Sequence, residues 1–128
     1  TVGVVVNKRK TSLFTVEERI ELLGEELAAV PNIRIDSFHG LLVDYCRANG
    51  IIAIVKGLRA ITDFDYELQM AQMNYRLAGI ETLFVSTNPA FGYLSSSLVK
   101  EVATYGGDIS GLVPEDVRMR LLDKLGAT

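Results

Sequence analysis

Lys56, Gly57 and Arg59 follow directly on the apolar run "IIAIV", at a point where the end of a strand needs only a turn. Lysine offers a compact charge and arginine a planar fork, both suited to phosphate oxygens. Gly57 between them lets the backbone approach a ligand or take a positive φ. A glycine turn flanked by two solvated cations would use the same residues. The helix that follows places Asp63, Glu67 and Asn74 at i, i+4 and i+11, roughly on one face. Phe64, Leu68 and Ala71 form one apolar stripe on it, and Tyr66, Met70, Met73 and Leu77 another. That pattern predicts a helix buried on two sides, where a carboxylate needs a partner. Arg59 or a ligand amine are candidates for Glu67, and an ion pair within the protein is the plain alternative.

Two other stretches carry comparable chemistry. "NKRK" places Lys8, Arg9 and Lys10 in one short loop, either simply solvated or facing an anionic ligand. Ser95, Ser96 and Ser97 open a helix, where free N–H groups and the helix dipole favour an anion. Serine is also an ordinary N-cap. Phe91 and Tyr93 just before them could stack on a base or plug the end of a sheet. Taken together, these stretches describe a crevice for a polyphosphate and a flat heterocycle. His39 has no carboxylate or serine spaced for a triad and is read as a loop histidine at a pocket rim. Cys46, Met70 and Met73 are read as core, and neither GxxxxGK[ST] nor GxGxxG occurs.

The elements that must position these residues alternate. "VGVVV" reads as a strand buried on both faces, and the basic loop leaves its carboxyl end. Thr15 and Glu18 form a capping box for a helix that stops before Pro31. A second strand runs from Ile33, and "LLVDYCRANG" is a helix with Gly50 at C′. Ile51 to Val55 is the third strand. The helix bearing Glu67 closes at Gly79, and Thr82 to Thr87 is the fourth strand. The serine helix ends at Gly106, and a last amphipathic helix has Pro114 near its start. Such alternation predicts an α/β fold, a parallel sheet flanked by helices on both sides and built from right-handed crossovers. Ligands then bind outside the carboxyl ends of the strands, the edge that carries all three loaded loops.

With 128 residues the chain is expected to form one domain, residues 1–128. Hydrophobic content of 48% with 23% charged residues is that of a globular protein. No stretch reaches the length of a membrane span, and the first residues lack the order of a secretory signal, which favours a cytoplasmic setting. A net charge of −3 gives no reason to expect nucleic-acid binding. One cysteine and one histidine exclude an internal disulfide and make structural zinc an unsuitable reading.

The stretches "KGLRAITDFDYELQMAQMN", "LFTVEERI", "SSSLVKEVA", "GGD" and "LVPEDV" resemble bacterial phosphopantetheine adenylyltransferases, in unbroken order along essentially the whole chain. The resemblance implies a Rossmann-like fold of the nucleotidyltransferase superfamily. It also implies transfer of the adenylyl group of ATP to 4′-phosphopantetheine, giving dephospho-coenzyme A and pyrophosphate, the penultimate step of coenzyme A biosynthesis. Mg²⁺, a homohexamer and feedback by coenzyme A come with it. Carried across, it makes Lys10 and Arg59 catalytic, and makes Lys10, Leu42 and Lys56 ligands of phosphopantetheine. Gly57, Leu58, Arg59 and Glu67 would contact ATP, as would Phe91, Gly92, Tyr93, Leu94, Ser95, Ser96 and Ser97. Asp63 and Asn74 would support that site or the subunit contacts. No metal-ligating side chain is implied. Members of that family begin with a strand, a "GSFDP" or "GTFDP" turn and a helix opening with Gly-His, roughly thirty residues in all. Nothing here matches that piece, which in the family supplies a Thr or Ser for the acceptor phosphate and a His for the α-phosphate. The resemblance therefore implies either a partial sequence of such an enzyme or a catalytically silent fragment that keeps the fold.

Overall fold

Strand and helix alternate as the pattern predicts. A computed structural model describes residues 1–59 and 61–126, with the backbone alone at 61 and 62. The order is β1 (Val2–Val5), α1 (Val16–Glu26), β2 (Ile35–Phe38), α2 (Leu42–Ala48), β3 (Ala53–Leu58), α3 (Ile61–Ala78) and β4 (Glu81–Ser86). A 3-10 turn at Pro89–Phe91, α4 (Ser96–Thr104) and α5 (Glu115–Leu125) complete it. Every ladder is parallel: β1 on β2 from Val2 beside Ile35, and β3 on β4 from Ala53 beside Glu81.

The single continuous sheet expected from the alternation is not what the ladders form. Among the described residues there are two two-stranded sheets, β1–β2 and β3–β4. Alternation requires parallel pairing and crossovers, but it does not dictate which strand edges join. The chain accordingly gathers into two compact units, one of Thr1–His39 with Leu94–Thr128, the other of Gly40–Tyr93.

In the first unit, the Thr15 hydroxyl accepts from the Glu18 N–H, and Glu18 accepts from the Thr15 N–H at 2.7 Å, so the capping box starts α1 as predicted. Val99, Ala103, Ile109 and Leu121 form the core. Full burial of a side chain the size of Val99, Ile109 or Leu121 contributes roughly 1.5–3 kcal/mol. Leu13 and Phe14, at the far end of the basic loop, and Leu94, just before the serines, pack on this same cluster. On α5, Arg120 reaches Glu21 at 2.8 Å and Glu25 at 3.0 Å of α1.

In the second unit, Val43, Cys46, Ile54 and Ile80 form the core. Cys46 is therefore a core residue, and burial pushes its thiol pKa up. Gly50 (φ +65) and Gly79 (φ +67) follow α2 and α3 in the left-handed conformation the sequence assigns them. Along the middle of β3 and β4 the side chains alternate. Ile54, Lys56, Leu58, Thr82 and Phe84 lie on a covered face, and Val55, Leu83 and Val85 on an exposed one. On the covered side, Phe64 of α3 meets Phe84 edge-on with centroids 5.5 Å apart.

Two expectations fail here for one reason. The run "VGVVV" is not buried on both faces, with Val4 buried and Val5 exposed, and "IIAIV" likewise buries Ile54 while Ile52 and Val55 are exposed. Nor is α3 buried on two sides, since Phe64, Tyr66, Leu68, Met70, Met73 and Leu77 are all exposed. Met70 and Met73 are consequently not core residues. An apolar stripe specifies that a face can be covered, whereas the cover must come from another element.

Candidate functional site

Strand β3 runs three residues further than the apolar run suggests, so Lys56, Gly57 and Leu58 lie in the strand and not in a loop after it. This corrects the reading of "KGLR" and explains its geometry. Period-2 alternation puts Lys56 on the covered face, toward α3, where its Nζ lies 3.5 Å from Glu67 Oε2. The plain alternative for Glu67, an ion pair within the protein, is the one observed. Arg59 instead pairs with Asp63, Nε to Oδ2 at 3.4 Å. Gly57 has no positive φ. It is needed for close approach, because a Cβ there would stand 3.1 Å from the Thr87 methyl. Thr87 ties the carboxyl ends of β3 and β4 together, its N–H and hydroxyl both donating to the Leu58 carbonyl at 3.1 and 3.0 Å.

Beside the Lys56–Glu67 pair lies a cavity of about 200 Å³ within the second unit. Leu42, Lys56 and Glu67, all singled out from the sequence, line it together. Its other walls are mostly apolar, with Met70, Met73 and Leu77 of α3 together with Leu41, the N-cap of α2, and Val43 within it. Polar groups converge on it sparingly. Asn74, 8% exposed, is the one buried polar residue among those described. Thr82, across from it on β4, has a buried hydroxyl without a hydrogen-bond partner among the described residues. A mostly apolar cavity with one lysine–glutamate pair and a few amide or hydroxyl groups suits an elongated, largely apolar ligand with a polar end.

Sequence reasoning treated Met70 and Met73 as core and did not single out Thr82. The methionine spacing from Tyr66 was visible, but which stripe would face a cavity depends on where α2 lies.

Phe91 closes the 3-10 turn introduced by Asn88, whose side chain accepts from the Ala90 N–H at 3.0 Å; Gly92 and Tyr93 follow. Phe91 and Tyr93 are exposed and do not line the cavity. Ser95 is the N-cap of α4, its hydroxyl accepting from the Leu98 N–H at 3.1 Å. Ser96 and Ser97 form the exposed first turn, and Leu94 is half-buried. Lys10 is exposed in the basic loop, where its N–H donates to the Asn7 carbonyl at 3.2 Å. His39 is exposed just after β2 and is not among the residues lining the cavity. Among the described residues, no three His, Cys, Asp or Glu side chains stand together in a way that could hold a metal ion.

Parallel strand pairs flanked by helices are those of a Rossmann-like nucleotidyltransferase fold. The cytidylyltransferase-like family model matches residues 2–102, and the chain belongs to that family. Within it, the chain is 62% identical to the phosphopantetheine adenylyltransferase of Frankia casuarinae over 97% of its own length and 79% of the relative's. It is 60% identical to the phosphopantetheine adenylyltransferase of Frankia alni, over 96% of this chain and 78% of that one. With that of Streptomyces coelicolor the identity is 59%, over 97% and 78%. The chain thus belongs to the phosphopantetheine adenylyltransferases, as its motifs imply.

Proposed function

We propose that this protein transfers the adenylyl group of ATP to 4′-phosphopantetheine, giving dephospho-coenzyme A and pyrophosphate. Family membership supports the reaction. The observation that carries the site assignment is Lys56 on the wall of an apolar cavity that Leu42 and Asn74 also line. In this reading the pantetheine arm lies in the cavity, and Lys56 leaves Glu67 to meet the acceptor phosphate. Gly57, Leu58, Arg59 and Glu67, with Phe91 to Ser97, serve ATP.

An oxygen of the acceptor phosphate attacks the α-phosphorus in line. One P–O bond forms there as the bond to the β-phosphate breaks, and pyrophosphate leaves with no covalent enzyme intermediate. Catalysis rests on positioning and charge neutralisation. Lys10 orients the nucleophile and follows the α-phosphate charge, while Arg59 and the serine segment hold the leaving group. Mg²⁺ belongs to this reading as a companion of ATP's phosphates, whose charge it would help neutralise.

A homohexamer in the cytoplasm with coenzyme A as feedback ligand completes the reading. The exposed Val55, Leu83 and Val85 favour assembly, and no helix among the described residues is long and apolar enough to cross a membrane. Pyrophosphate release by the full-length enzyme, dependent on both substrates, tests the reaction. Lys10→Ala should lower kcat about 100-fold while the KM for ATP changes little. Equal losses in both would count against the role given to Lys10.

A further inference from the structure

The basic loop that carries Lys10 is fastened at both ends. At its start the Val6 N–H donates to the Phe38 carbonyl of β2 at 2.7 Å. At its far end Lys124 of α5, more than a hundred residues away in sequence, donates to the Leu13 carbonyl at 3.1 Å. The same Nζ lies 2.6 Å from Glu18 Oε2 and 5.6 Å from the centroid of the Phe14 ring. That Glu18 oxygen also accepts the Thr15 N–H at 2.7 Å, closing the capping box of α1. One ammonium therefore holds a loop carbonyl, a helix-cap carboxylate and an aromatic face at once. Between the two fastenings, the bonds of Asn7–Ser12 among the described residues are local: Lys10 N–H to the Asn7 carbonyl and Arg9 N–H to Asn7 Oδ1.

We infer that Lys124 is a positioning residue for the reaction, setting where the loop places Lys10 by clamping Leu13 and the α1 cap. This rests on the role of Lys10 proposed above. A long, exposed loop lysine has many rotamers, and a displacement of about 1 Å in a positioning element costs on the order of a hundredfold in rate when the chemistry is in-line displacement. Fixing the Leu13 carbonyl shortens the free span through which Lys10 can wander. The Glu18 carboxylate lets the clamp be released from its other side, since Gln at that position can still accept the Thr15 N–H but no longer carries the charge that holds Lys124.

The test is a double-mutant cycle in the full-length enzyme, with kcat and both KM values measured for Lys124→Met, Lys10→Ala and the pair, alongside Glu18→Gln and Lys124→Arg. Lys124→Met should lower kcat about tenfold with the KM for ATP within about twofold. Glu18→Gln should fall in the same direction and Lys124→Arg should recover most of the loss. The pair should be no slower than Lys10→Ala alone, because a clamp has nothing to position once Lys10 is gone. Multiplying losses in the pair, or a Lys124→Met enzyme with unchanged kcat beside a crippled Lys10→Ala, would overturn the inference. An unaffected Lys10→Ala would overturn the role of Lys10 itself. A melting temperature that falls by many degrees in Lys124→Met, with no recovery in Lys124→Arg, would assign Lys124 to folding instead and so would also overturn it.

Discussion

Lys56 and Glu67 face each other across the boundary between a strand and the helix that follows it, Nζ to Oε2 at 3.5 Å. Both side chains are partly exposed, 39% and 23%. An ion pair so placed contributes at most about 1 kcal/mol to stability. Its consequence is for binding. Lys56→Met should raise the KM for phosphopantetheine about tenfold or more, the value of one charge-assisted hydrogen bond, and leave the KM for ATP nearly unchanged. Steady-state kinetics with each substrate varied in turn decides it, and a parallel rise in both KM values would remove Lys56 from the acceptor phosphate.

Gly57 and Thr87 form a steric pair at the carboxyl ends of β3 and β4. Gly57→Ala brings its Cβ to 3.1 Å from the Thr87 methyl and should destabilise the protein by about 1 kcal/mol. Thr87→Ser removes that methyl but keeps the hydroxyl bond to the Leu58 carbonyl. The double variant should therefore recover most of the loss in a denaturant titration. Additive losses would show that the strain lies elsewhere.

The three serines should separate into two roles. Ser95→Ala removes the cap of α4 and should cost about 1 kcal/mol. Ser96→Ala and Ser97→Ala touch no capping bond and should melt like the parent, while raising the KM for ATP. If all three substitutions affected only melting, the segment would be a helix start and nothing more.

The junction of α1 with α5 should make stability pH-dependent in one direction. Lys124, chiefly, and the Thr15 N–H hold the Glu18 carboxyl below the usual glutamate range. Arg120 does the same for Glu21. A depressed carboxylate stabilises fully above its unfolded-state pKa, and the contribution is lost as pH falls through the lower folded-state value. Melting temperatures should therefore decline on acidification below about pH 5. Lys124→Met should flatten part of that decline, and an unchanged profile would mean that the Glu18 contact is absent in solution.

The sequence by itself determined whatever depends on near neighbours. The Thr15–Glu18 capping box, the left-handed glycines after α2 and α3 and the alternation that makes the fold α/β all rest on contacts within one or two consecutive elements. The family motifs, which run through those same stretches, were legible for the same reason. Only the tertiary structure decided the rest. An apolar run cannot tell whether a second face will be covered, so Val5 and Met73 were expected inside and stand exposed. Strand pairing is set by edges that meet across long stretches of chain, so the division into two parallel pairs left no local trace. The contact of Lys124 with Leu13 joins residues 111 positions apart, and no spacing rule links a helix near one end of a chain to a loop near the other. Local hydrogen bonding and side-chain periodicity are encoded residue by residue, whereas burial and long-range contacts depend on which elements the folded chain brings side by side.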